Sequence, residues 1–74
     1  MKKKVHEFTV VLEQDEDGWI VAKVPELQGC YTQGKTVTQA MERIKEAIQV
    51  CLDSEKFELP NTKFVGLQKV QVLV

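Results

Sequence analysis

The residues able to do chemistry in this 74-residue chain are few: one histidine, two cysteines and eleven carboxylates. Metal-dependent phosphodiester cleavage needs several carboxylates from strand and helix converging on a pair of metal ions. The supply is wrong for that. No acidic residue follows Glu58, so a terminal strand has no ligand to give, while Glu42 and Glu46 lie with Arg43 and Lys45 on the polar side of a helical pattern. Asp15, Glu16 and Asp17 form the densest negative cluster, but they lack the glycine and terminal glutamate of a calcium loop and read as a solvated turn. His6 has no Ser, Cys or carboxylate placed by sequence to complete a triad, and its parity sets it beside Phe8 at the edge of a core face. Cys30 and Cys51 are too few for a structural zinc site and read as packing residues. A disulfide between them is geometrically conceivable, because the helix runs back over the sheet. With no glycine-rich phosphate loop either, the expectation is a non-enzyme with no catalytic residue, cofactor or metal.

What the fold must position is therefore a surface. Residues 5–13 alternate Phe8, Val10 and Leu12 against Glu7, Thr9, Val11 and Glu13, the period of a strand with two unlike faces. A polar loop at 14–18 leads to a second strand at 19–24, whose Ile20, Ala22 and Val24 complete the same core face. Pro25 stops that strand, and Gly29 allows a positive φ, so 25–29 reads as a tight reversal into a third strand at 30–33, closed by Gly34. The helix is expected over 37–54, with Val37, Ala40, Met41, Ile44, Ala47, Ile48, Cys51 and Leu52 in one stripe and Thr36 and Gln39 as a capping box. After a connection containing Pro60 and Asn61, residues 65–74 read as a last strand. Its parity changes near Gly66 to Gln68, which predicts a bend or bulge. A strand–helix–strand crossover would set it parallel to the first strand and beside it, giving the order 3-2-1-4.

The series Asp17-Gly18, Ala22, Val24-Pro25, Leu27, Gly29-Cys30, Thr32, Gly34, Thr36, Ala40 and Glu46-Ala47 resembles the HicB antitoxin family. Its members carry a D-G-x-x-A-x-x-P-x-L-P-G-C-x-T-x-G-x-T-x-x-E-A pattern before a helix. The likeness covers roughly residues 8–52, with Gln28 where the family usually has a second proline and Gln39 where it usually has glutamate. Neither change removes a turn or a cap. The resemblance implies an α+β chain with a partial RNase H-like β-β-β-α-β fold, one helix on one face of a four-stranded sheet, and the silencing of a small, HicA-like RNA-cleaving toxin. The family's longer members add a C-terminal DNA-binding segment; this chain ends at Val74 without one, so it is expected not to bind DNA alone.

Composition agrees with a single domain over 1–74. A content of 43% apolar and 28% charged residues is that of a globular chain, and a net charge of −1 argues against a protein held to nucleic acid by bulk electrostatics. Lys2 to Lys4, the only basic run, read as a solvated terminus. No stretch approaches the roughly 20 apolar residues of a membrane span and no signal peptide is visible, so the expected location is the cytoplasm. A chain this short buries only about 60% of its unfolded surface, which favours a homodimer or higher oligomer. The expected partner-binding residues are Asp15, Glu16 and Asp17 with Val11, Trp19 and Val21 on the uncovered sheet face. Pro25, Gly29, Gly34, Thr36 and Gln39 would hold the frame. The alternative to a small basic toxin as partner is an orphan homo-oligomeric structural or regulatory protein.

Overall fold

The computed structural model describes residues 5–54 and 63–74. It is α+β, with three antiparallel strands, β1 (Val11–Gln14), β2 (Ile20–Lys23) and β3 (Tyr31–Gly34), in the order β1-β2-β3, followed by one helix, α1 (Val37–Leu52). Leu12, Ala22 and Thr32 stand opposite one another across the sheet, and the helix lies across β3 and β2 on that face.

The loop between β1 and β2 is a three-residue hairpin turn. The Gly18 N–H donates to the Asp15 carbonyl, the Asp15 N–H donates to the Trp19 carbonyl, and Gly18 takes φ 88°, the left-handed position such a turn requires. The reversal after β2 consists of two consecutive turns sharing Leu27. Its N–H donates to the Val24 carbonyl, and its own carbonyl accepts from Cys30, with Gly29 at φ 77° inside the second turn. This arrangement carries Leu27 inward, so a loop residue joins Ala22, Val24, Cys30, Ala40 and Ile44 in the buried core.

The same reversal explains why the first ladder begins at Val11 and not near residue 5. Residues of a central strand turn their backbone groups alternately to either neighbour; Val24 faces β3 and donates to Cys30, and the next turn toward β1 falls to Pro25, which has no N–H. The Thr9 N–H finds the Glu26 carboxylate instead, at 2.9 and 3.2 Å. His6, expected at the core edge, is exposed. At the other ends the differences are small: β3 includes Gly34, and the helix ends at Leu52 rather than 54.

Thr36 caps the helix, its hydroxyl accepting from the Gln39 N–H at 3.1 Å. The return contact is shifted by one residue, because Gln39 Oε1 accepts from the Lys35 N–H at 2.7 Å and not from that of Thr36. Arg43 adds a tie to β3 through the Gln33 carbonyl at 3.0 Å. The apolar stripe is only partly used. Ala40 and Ile44 are buried, Ala47, Ile48, Cys51 and Leu52 are half-buried, and Val37 and Met41 are exposed. Leu12 on β1 is likewise 41% exposed, because the helix covers β3 and β2 and leaves the core side of β1 open.

Among the described residues the sheet has three strands, so the order 3-2-1-4 is not seen. Residues 65–74 carry no ladder, turn or helix and are exposed throughout, so no fourth strand beside β1 is seen among them. The basic run at 2–4 and the connection through 55–62 lie outside the described residues.

Candidate functional site

Among the described residues, no group of three His, Cys, Asp or Glu side chains is arranged to hold a metal ion. Glu42 and Glu46 are exposed on the helix. What the fold presents is the sheet face opposite the helix and the hairpin at its end.

On that face Val11 stands opposite Lys23, and Val21 opposite Glu13. The two valines therefore sit on one diagonal of a four-residue square. The other diagonal is an ion pair, with Lys23 Nζ 2.7 Å from Glu13 Oε1. The valines and Trp19 are half-buried, and the Lys35 ammonium lies 6.0 Å from the centroid of the Trp19 ring. The apolar residues of this face are thus interleaved with charge, and Tyr31 beside them is exposed. An open groove of about 420 Å³ runs from Val11, Lys23 and Tyr31 over the reversal at Pro25 to Gly29. A second, of about 300 Å³, lies at the hairpin between Asp17, Gly18, Trp19 and Lys35.

The three hairpin carboxylates are not equivalent. Asp15 Oδ1 accepts from the Asp17 N–H at 3.0 Å and the Trp19 N–H at 2.9 Å, so this side chain is committed to holding the turn. Glu16 and Asp17 are exposed at the tip. Charge alone groups all three, although an aspartate opening a turn that ends in glycine is the usual signal of such a turn-holding role. No local pattern in the sequence announces Glu26, whose backbone contact spans 17 residues.

Cys30 and Cys51 meet in the core as free thiols. Burial, a hydrogen bond with the Cys51 side chain and the proximity of that group push the Cys30 thiol up to about 11, from an ordinary 9.0. In the unfolded chain Cys30 loses its proton near 9.0 and in the folded chain near 11, so its contribution to stability is complete below pH 9 and is lost as the pH rises from 9 to 11. Thermal melts across that interval should therefore show a falling midpoint, with a shallower fall in Cys30→Ala. Parallel falls in the two proteins would exclude Cys30 as the source.

Pro25 and Gly29 lie in the reversal, Gly34 at the end of β3, and Thr36 and Gln39 at the helix cap. These positions lie within the part of the chain that is similar to known proteins. A family model described as a HicB-like antitoxin of a bacterial toxin–antitoxin system matches residues 8–70. A UPF0150 protein of Archaeoglobus fulgidus is 48% identical over 65 residues, 88% of this chain and 93% of that protein. One from Synechocystis is 48% identical over 67 residues, 89% of this chain and 94% of its own length. A Helicobacter pylori relative of the same name is 50% identical over 53 residues, covering 70% of this chain and 72% of that protein. No solved structure gives a significant match.

Proposed function

Because the chain belongs to the HicB-like antitoxin family of bacterial toxin–antitoxin systems, we propose that it is a binding protein that neutralises a small, basic, RNA-cleaving toxin by covering its RNA-gripping surface. The observation that carries this reading is the family match over residues 8–70, which spans the sheet, the reversal and the helix. The reading implies a cytoplasmic, non-enzymatic protein that does not bind nucleic acid alone; among the described residues no helix is long and apolar enough to cross a membrane. The partial RNase H-like outline, with a fourth strand beside β1, belongs to the same proposal.

A toxin that holds RNA presents positive charge, and an inhibitor gains association rate by placing carboxylates opposite it. Glu16 and Asp17 project from the hairpin tip, beside the groove at Trp19, and are the carboxylates free to do this. Asp15 supports them by fixing the turn. Val11, Trp19 and Val21 contribute the adjoining contact surface, with Lys35 and the Glu13–Lys23 pair setting its charge pattern.

The double variant Glu16→Gln with Asp17→Asn should associate with the protein encoded beside this chain roughly 3- to 10-fold more slowly at low salt, and with less salt dependence. Asp15 is left in place, so the melting temperature should not move. Stopped-flow association at several ionic strengths checks this, and an unchanged rate would remove the hairpin tip from the contact. The orphan-oligomer alternative predicts no binding by the unmodified chain at all.

A further inference from the structure

The segment from Val65 to Val74 has the wrong surroundings for its composition. Seven of its ten residues are Val, Leu or Gly, its only charge is Lys69, and it is exposed from Val65 at 96% to Leu73 at 100%. The molecule measures 52 × 27 × 20 Å with a radius of gyration of 14.4 Å, against about 11 Å for a compact chain of this length. Where the segment departs, Phe64 is half-buried, and with Lys63, Pro25 and Glu26 it lines one small pocket. Glu26 also holds the Thr9 N–H, so the segment leaves the body beside the backbone that leads into β1.

Among the described residues β1 has a free backbone edge at that place, since its one neighbour there is β2. The core side of the same strand lacks cover: Phe8 and Val10 are half-buried and Leu12 is exposed. The edge strand and the apolar segment are each incomplete in one copy, and both are liabilities in water.

We infer that residues 65–74 of each chain pair with the β1 edge of a second copy, in a reciprocal exchange of strands about a two-fold axis. An edge strand that accepts an extended segment gives main-chain hydrogen bonds, and alternate side chains give the fit. Val70, Val72 and Val74 have the parity to meet Phe8, Val10 and Leu12 on the core side. Lys69 then falls on the outer face beside Glu7 if the strands run parallel, or beside Glu13 if they run antiparallel, and opposite charges on neighbouring strands attract. A stable interface removes about 1,200–2,000 Å² from water in total, and two exchanged strands of about 33 Å each are of the size to supply it. Two-fold exchange also closes: each copy gives one segment and receives one, leaving neither free to recruit a third chain. The fourth strand expected from the sequence is thereby formed between copies, and this conclusion does not depend on the antitoxin reading.

The test uses the full chain and the full-length variant Val70→Lys with Val72→Lys. Sedimentation at tens of micromolar should give the mass of two chains for the unmodified protein and of one chain for the variant, with the helix signal in circular dichroism retained. In a mixture of isotope-labelled and unlabelled copies, isotope-filtered NOE spectra should show contacts from residues 69–73 of one copy to residues 8–13 of the other. One-chain mass for the unmodified protein would overturn the inference. So would contacts confined to a single chain, which would mean that the segment folds back on its own β1, or a two-chain mass retained by the variant.

Discussion

Replacing Ile44 with alanine is expected to remove about 2–5 kcal/mol of stability, the range for deleting a large aliphatic side chain from a close-packed core. Ile44 is 1% exposed and is the largest fully buried side chain among the described residues. It lies where the helix crosses the sheet, in the same cluster as Ala22, Val24, Leu27, Cys30 and Ala40, so no nearby side chain is free to collapse into the space. A chain of this length has roughly 4–11 kcal/mol in all, and the substitution therefore takes a large part of it. Ile44→Val, which removes one methyl group, should cost only about 0.5–1.5 kcal/mol. Urea denaturation of the three proteins at one chain concentration measures both differences. A loss below about 1 kcal/mol for the alanine variant would mean that the helix does not pack on the sheet as described.

Gly34→Ala should be nearly as damaging for a different reason. A Cβ built on Gly34 comes 2.7 Å from the Ala40 nitrogen and 3.1 Å from both the Ala40 Cα and the Gln39 carbonyl carbon. All three are backbone atoms of the helix's first turns, so a side-chain rotation cannot relieve the clash. The helix start must move away from β3, which strains the Thr36 cap and the Gln39 contact to Lys35. Overpacking of this kind costs about 1–3 kcal/mol, and for a chain of this size 3 kcal/mol lowers the melting temperature by roughly 12–24 °C. The unmodified protein is the reference, and an unchanged melting temperature in Gly34→Ala would contradict the close approach of β3 and α1.

Much of this frame is legible in the sequence because it is local. The 3.6-residue stripe and the Thr36 cap locate α1 to within two residues, and Pro25 and Gly29 announce the reversal through what proline lacks and glycine allows. Leu27 shows where local reasoning stops: it belongs to no periodic run, and its burial follows from two turns that share it. The late start of β1 is a pairing effect, set by Pro25 fourteen residues after Val11 rather than by any residue of the strand itself. The hairpin carboxylates were visible as charge, but the commitment of Asp15 to two backbone N–H groups depends on the turn's geometry. For 65–74 the alternation of valines indicates a strand without indicating which copy's sheet receives it. Charge interleaves the valines of the outer face because register, which alternation alone does not fix, sets Glu13 and Lys23 on the other diagonal of their square.

The measurement closest to the central claim is RNA cleavage by any small basic protein found encoded next to this chain, titrated with the purified chain under single-turnover conditions. Neutralisation by occlusion predicts that cleavage falls linearly and ends when the two chains reach a fixed stoichiometric ratio, with no cleavage by this chain alone. Undiminished cleavage in the presence of excess folded chain would contradict the account.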